Sequence, residues 1–221
     1  MVSLTLRAAI ATLFVAACVP GTTAFAAAAP PSAAAPDSAL VAQIAAHLGQ
    51  APGIRARFTQ TQTLSAMKQP LVSRGSLLFV RALGVIWQIE SPYKATYVIT
   101  DTGVVEVNPQ GQRIATQTAS GTRGVAQVSR MMRAMLGGDL SSLYSQFDVH
   151  AQGTFAQWRM QLTPNQPQLA QSIRSLQMTG GTYLQTLHIA FANGDATQLD
   201  FANTTPVEAP TPAERTLFGA P

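Results

Sequence analysis

Residues 71–91 read LVSRGSLLFVRALGVIWQIES and contain two β-strand patterns separated by a short break at 82–84. Because side chains alternate along a strand, each pattern places three residues on one face, which are Leu77, Phe79 and Arg81 in the first and Val85, Trp87 and Ile89 in the second. Two strands joined by so few residues pair as an antiparallel hairpin, since a parallel pair needs a long crossover. This stretch therefore predicts an antiparallel sheet with a strongly apolar face.

The same twofold periodicity extends in both directions from this hairpin. Segments rich in β-branched and aromatic residues, bounded by Gly, Pro, Asn or Asp, predict eleven strands at 54–66, 71–81, 84–91, 95–101, 103–109, 112–118, 146–151, 153–162, 173–180, 183–192 and 196–202. The short breaks between successive segments, such as Asn193-Gly194-Asp195, indicate an antiparallel meander. A sheet this large is expected to curl or close, because its edges must be paired or covered.

Helical periodicity appears at the beginning, middle and end of the chain. Asp37 is predicted to cap an N-terminal helix that ends before Gly49, with an apolar face formed by Leu40, Val41, Ile44 and Leu48. A helical stretch interrupts the strands, with an apolar stripe at Val125, Val128, Met131, Met132, Met135 and Leu136, and a short helix follows from Asp139. A last helical turn is predicted at 212–218. We expect a mainly β fold with α-helices, a half-open (incomplete) antiparallel β-barrel of about eleven strands whose mouth the helices cover. Such a barrel leaves a cavity suited to an apolar ligand.

The N-terminal segment predicts export. Residues 1–26 combine Arg7, an apolar run at 8–17 and the small-x-small pattern Ala24-Phe25-Ala26, as in a cleaved signal peptide. Val15-Ala16-Ala17-Cys18 also resembles a lipobox, so lipidation of Cys18 is the alternative to cleavage after Ala26. No apolar run reaches the roughly 20 residues that span a bilayer. We therefore predict a periplasmic protein, or an outer-membrane lipoprotein if Cys18 is lipidated. Residues 27–36 are predicted to be an Ala/Pro-rich linker, and 206–221 a Pro-rich tail.

Composition argues against several classes of function. The 14 Lys and Arg exceed the 10 Asp and Glu by only four charges in 221 residues, too few for a nucleic-acid surface. One cysteine excludes a disulfide framework, and the three histidines have no partner at metal-ligand spacing. P-loop, G-x-S-x-G and HExxH motifs do not occur in the sequence. We therefore predict a binding protein that is not an enzyme and carries no metal.

Five short motifs occur in order along residues 37–205. They are Phe58-Thr59-Gln60, 75–81 (GSLLFVR) with Trp87, Asp101-Thr102-Gly103 with Asn108-Pro109, Leu162-Thr163-Pro164, and 193–203 (NGDATQLDFAN). These resemble the F-x-Q, G-x-L-x-x-x-R-P…W, D-G…Y-N-P, L-x-P and G-D-x-T-x-x-x-F-x-N patterns of LolA-type periplasmic lipoprotein carriers. Ala82 stands where that family has proline, and the segment around Val105 lacks its aromatics. The chain is therefore similar to a divergent LolA-type carrier.

This resemblance implies a carrier domain at 37–205 whose interior shields the acyl chains of lipoproteins, or of a related acylated lipid, between the inner and outer membranes. It implies an inner-membrane ABC release complex that loads the carrier, an outer-membrane receptor of similar fold that unloads it, and no cofactor. The family arginine, here Arg81, is implied to hydrogen-bond a helical lid and favour the closed state. We expect a monomer. The alternative function is an outer-membrane-anchored, LolB-like acceptor or lipid sensor lipidated at Cys18.

The candidate acyl-binding residues lie on the central hairpin and on the helical stretch. They are Leu77, Phe79, Val85, Trp87, Ile89, Met131, Met132 and Met135. Ordinary core packing is the alternative reading for both groups. For Arg81 the alternative is a strand-end side chain that reaches water.

Overall fold

The computed structural model describes residues 35–100, 103–108, 110–115 and 143–219 of the chain. Eleven strands form one sheet: β1 Gly53–Thr63, β2 Leu71–Val80, β3 Gly84–Ser91, β4 Ala95–Thr100, β5 Gly103–Val107, β6 Arg113–Ala115, β7 Phe147–Thr154, β8 Gln157–Pro164, β9 Ile173–Gly180, β10 Leu184–Phe191 and β11 Ala196–Pro206. Helices lie at the two ends and between β8 and β9: α1 Ala35–Leu48, α2 Pro167–Ala170 and α3 Pro212–Phe218. The predicted eleven strands are confirmed, and their bounds differ from the prediction by a few residues.

The sheet is antiparallel and open. Its strand order is β6-β5-β4-β3-β2-β1-β11-β10-β9-β8-β7, so the first and last strands pair at the centre and β6 and β7 lie at the edges. Each half is a meander in which successive strands are neighbours, as the short breaks in the sequence predicted. The half-open architecture is therefore confirmed for the described residues, whereas the helical lid predicted at 125–136 lies outside them.

The hairpin of β2 and β3 turns tightly at Gly84. Its φ of 126° is disfavoured for residues with a side chain, and a Cβ there would run into the carbonyl oxygen of Ile99 on β4. The turn fixes a register in which Leu77 lies opposite Trp87 and Phe79 lies opposite Val85. All four side chains consequently fall on the same face of the sheet, which we call the inner face.

Helix α1 packs against the inner face. Of the four residues that helical periodicity predicted for its apolar face, Val41, Ile44 and Leu48 are buried and Leu40 is half-buried. The helix ends before Gly49 as expected. The predicted N-cap was wrong: the helix begins at Ala35, so Asp37 lies in its first turn.

Helix α3 covers part of the opposite, outer face. Thr211 and Glu214 form a reciprocal capping box at its start, and Gly219 ends it with a φ of 79°. Phe218 is buried in a second apolar cluster, which we call the outer cluster and which contains Leu78, Val80, Ile86, Val98, Val107 and Phe218. The helix predicted at 212–218 is thus confirmed, and Phe218 packs it against the sheet.

Among the described residues, no helix has the length and apolarity needed to cross a membrane.

Candidate functional site

The inner face brings together every candidate residue of the central hairpin. Leu77, Phe79 and Val85 are each 1% exposed, Trp87 is 3% exposed and Ile89 is 9% exposed. They belong to one apolar cluster with α1 and with the inner-facing residues of the other strands. The sequence pattern therefore located these five side chains correctly, and whether they contact acyl chains stays a prediction.

The other half of the sheet contributes a second set of buried side chains that the prediction did not name. They are Trp158, Met160, Leu162, Leu176, Met178, Leu187 and Leu199. Each lies at an alternating position of its strand, so the twofold period that located Leu77 could have located these residues too. The apolar inner face thus runs across both halves of the sheet.

The two tryptophans of the inner face differ in how their indole nitrogens are satisfied. Trp158 Nε1 donates a hydrogen bond of 2.9 Å to the carbonyl oxygen of Gly181. Trp87 Nε1 is buried and has no hydrogen-bond partner among the described residues. The Trp87 ring packs on Phe58, with ring centroids 4.0 Å apart and planes tilted by 30°. The Trp87 indole is therefore well packed and incompletely hydrogen-bonded.

Along one row of the inner face, polarity increases from β3 toward β5. Trp87 on β3 lies opposite Tyr97 on β4, which in turn lies opposite Glu106 on β5. Tyr97 is half-buried, and burial, helped by the nearby Glu106 and Tyr93, raises the pKa of its phenol. This row therefore runs from the buried indole of Trp87 through the half-buried phenol of Tyr97 to the carboxylate of Glu106. Tyr97 and Glu106 form a polar margin at the edge of the apolar surface.

Arg81 lies in the turn between β2 and β3, where its side chain is exposed. Its guanidinium donates to the carbonyl oxygens of Gly49 and of Ala51, the latter at 3.0 Å. Both carbonyls follow the C-terminal end of α1, where cations are favoured. Arg81 therefore links the hairpin to the end of the helix that covers the inner face, and a contact with residues 116–142 falls outside the described residues.

The remaining candidates cannot be located. Met131, Met132, Met135 and Cys18 all lie outside the described residues. Within the described part of the chain, no three His, Cys, Asp or Glu side chains are grouped in a way that could hold a metal ion.

The described residues thus form an open antiparallel sheet with one continuous apolar face beneath a helix. Residues 33–213, more than half of the chain, match the family described as outer membrane lipoprotein carrier protein LolA-like. The chain belongs to this family. Comparison with curated proteins finds no match.

Similar solved structures share low sequence identity with this chain. A LolA superfamily protein from Nitrosomonas europaea is 10% identical, with a TM-score of 0.43, and the match covers 79% of this chain and 95% of that one. A chain of the MucA/MucB complex of Pseudomonas aeruginosa is 13% identical, with a TM-score of 0.44, and the match covers 80% of this chain and 59% of that one. LprF from Mycobacterium bovis is 14% identical, with a TM-score of 0.38 and coverage of 80% and 98%.

Proposed function

We propose that this protein is a periplasmic carrier that binds the acyl chains of lipoproteins, or of a related acylated lipid, and moves them from the inner to the outer membrane without catalysing a reaction. The observation that carries the proposal is the apolar inner face, which extends from Leu77 and Trp87 on one half of the sheet to Leu187 on the other. Membership of the LolA-like family supports the same function.

The energetics of an apolar face suit this task. Each methylene group that leaves water contributes about 0.8 kcal/mol, so one acyl chain can be held by several kcal/mol without any polar contact. In the structure the inner-face side chains are almost fully buried, partly by Val41 and Ile44 of α1. Acyl chains would therefore enter only as α1 and the side chains beneath it move apart.

Arg81 is proposed to act as the latch for that movement. Its hydrogen bonds join the β2–β3 turn to the carbonyls that follow α1, and a guanidinium donates charge-assisted hydrogen bonds. Replacing Arg81 with Leu should favour the open state and cause lipid-bound protein to accumulate. Arg74→Leu, on exposed β2 surface, is the matched control. Loading and release rates equal to those of the wild type would refute the latch.

Binding of acylated cargo can be tested directly with a synthetic diacylated lipopeptide and the same peptide without acyl chains. The purified protein should bind only the diacylated form, because the contacts proposed are made to the chains. Titration calorimetry should give a negative heat-capacity change, the signature of apolar burial. Equal affinity for both peptides, or binding of neither, would refute the carrier function.

The position of the N-terminus separates the carrier from the alternative function. Cleavage after Ala26 gives a mobile periplasmic protein, whereas lipidation at Cys18 gives an anchored, LolB-like acceptor or a lipid sensor. Intact mass spectrometry of protein recovered from the cell envelope reports both the processed terminus and any copurifying lipid. A diacylglyceryl mass on Cys18 would favour the anchored alternative.

The partners proposed for the carrier follow from the family resemblance. We expect a monomer that is loaded by an inner-membrane ABC release complex and unloaded by an outer-membrane receptor. Crosslinking in the native envelope tests both contacts, and a protein that crosslinks to neither would fit the sensor alternative better.

A further inference from the structure

The indole nitrogen of Trp87 is the one buried side-chain polar atom of the described residues that has no hydrogen-bond partner. Leaving such a donor unsatisfied is unfavourable, and buried polar groups without partners are rare in native proteins. Trp158 shows the usual arrangement on the same face, since its indole donates to Gly181. The exception at Trp87 therefore calls for a partner that the described residues do not supply.

The surroundings of Trp87 restrict the chemistry of that partner. The ring is held by Phe58 at 4.0 Å and lies in the apolar cluster of the inner face, next to Leu77 on β2. An indole N–H can donate a hydrogen bond but cannot accept one. The complementary group is an acceptor without a donor of its own, attached to hydrocarbon. An ester carbonyl at the head of an acyl chain has these properties.

The position of Trp87 in the sheet is consistent with an ester carbonyl as its hydrogen-bond acceptor. Leu77 lies on one side of it across the sheet, and the half-buried Tyr97 and then Glu106 lie on the other. An acyl chain on the apolar surface would place its ester at the boundary and its polar head toward Tyr97 and Glu106. Trp87 stands at that boundary.

We propose that Trp87 Nε1 donates a hydrogen bond to an ester carbonyl oxygen of the bound lipid and so selects ester-linked acyl chains over alkyl chains of equal length. This inference rests on the proposed carrier function and names the part of the cargo that the site recognises beyond its hydrocarbon. A partner that is purely hydrocarbon would leave the indole as unsatisfied as it is among the described residues.

The test compares two zwitterionic probes, a short-chain diacyl phosphatidylcholine and its dialkyl ether analogue with chains of equal length. The wild type should bind the ester lipid about fivefold more tightly, the effect of one hydrogen bond. Trp87→Phe keeps an aromatic ring against Phe58 but removes the N–H, so it should bind both probes equally. Trp158→Phe is the matched control and should keep the preference, because its indole donates to Gly181.

A spectroscopic measurement on the wild type keeps the test independent of the Trp87 variant. The chain has two tryptophans, so its NMR spectrum contains two indole N–H signals, and Trp158→Phe identifies them. The ester lipid should move the Trp87 signal downfield and slow its exchange, and the ether lipid should not. Equal wild-type affinity for both probes, a preference that survives in Trp87→Phe, or an unchanged Trp87 signal would overturn the inference and leave the carrier function intact. Binding of neither probe would overturn both.

Discussion

The two halves of the sheet are built on different patterns of burial. On the β8–β11 half, buried and solvent-facing residues alternate, as with buried Leu176 and Met178 on either side of exposed Gln177. On the β2–β5 half, both faces carry apolar side chains, since Leu77 is buried inside and Leu78 is buried under α3. The β8–β11 half is therefore apolar on its inner face only. The β2–β5 half is apolar on both faces, because the outer cluster forms a second core behind its inner face.

The difference between the outer faces of the two halves is tested most directly by truncating one outward-facing side chain on each half. Leu78→Ala should lower the free energy of unfolding by about 2–5 kcal/mol, because it removes a buried side chain from the outer cluster. Gln177→Ala, at an exposed position of β9, should change it by less than about 0.5 kcal/mol. Urea denaturation measures both values. Similar losses in the two variants would mean that the halves are equally covered.

Phe218 attaches α3 to the outer cluster. Truncating it should leave the outer faces of both halves of the sheet uncovered. Phe218→Ala should cost about 1.5–3 kcal/mol, the value of burying one aromatic side chain, and it should expose the outer cluster. Thermal unfolding measures the loss, and a dye that binds apolar surface should report the exposure. Arg215→Ala, on the exposed side of the same helix, is the control. Dye binding that is unchanged in Phe218→Ala would show that α3 does not shield the outer cluster.

Lowering the pH should reduce the stability that Glu214 gives to α3. Burial raises the pKa of Glu214, but the hydrogen bond from the Thr211 backbone N–H and the ion pair with Arg55 at 2.7 Å outweigh it, so the pKa lies below its usual value. A carboxylate whose pKa is lower in the folded state stabilises the fold above its unfolded pKa. That contribution is lost as the pH falls through the folded pKa. Glu214→Gln should therefore reduce the dependence of stability on pH below about 4.5.

The control for this titration is Glu208→Gln, which changes an exposed carboxyl just before the helix. Its stability between pH 7 and pH 3, followed by the melting temperature, should parallel that of the wild type. A Glu214→Gln variant with the wild-type pH profile would contradict the role of this carboxylate.

The smallest effect is expected where the halves meet at one end of the central strand pair. Asp195, in the β10–β11 turn, accepts hydrogen bonds from the backbone N–H and the hydroxyl of Ser65, at 2.8 and 2.9 Å. These bonds lower the pKa of Asp195, so its contribution is present at neutral pH and lost in acid. Asp195→Asn should speed amide exchange at Ser65 with little change in melting temperature. Asp148→Asn on edge strand β7 should leave that exchange rate unchanged.

The alternation of apolar and polar residues along the strands allowed the inner face to be predicted. The cover of the outer face was missed, because the sequence does not alternate there. Val85, Trp87 and Ile89 stand two residues apart, so their shared face follows from strand geometry alone. The run Leu77-Leu78-Phe79-Val80 does not alternate, which indicates burial on both sides but not what covers each side. Helix α3 is too short for its periodicity to reveal that Phe218 packs there.

The features of the site that depend on distant neighbours could not be predicted. The sequence left Arg81 either inward-facing or reaching water, and its exposed position beside Gly49 depends on where α1 ends. The hydrogen-bonding state of an indole is likewise set by its tertiary neighbours, so nothing in the sequence distinguishes Trp87 from Trp158. The methionine stripe at 131–135 remains a prediction.

The pairing of β1 with β11 has a consequence for how the chain folds. Ile54 lies opposite Pro206, so the middle of the sheet joins segments from nearly opposite ends of the domain. Contacts between residues so distant in sequence form slowly, because a long loop must close first. During synthesis the strands of both meanders are made before β11 is complete, so the junction between the meanders waits for the final strand. A chain stopped before residue 196 would therefore hold two unjoined sheets, each with a bare edge open to aggregation.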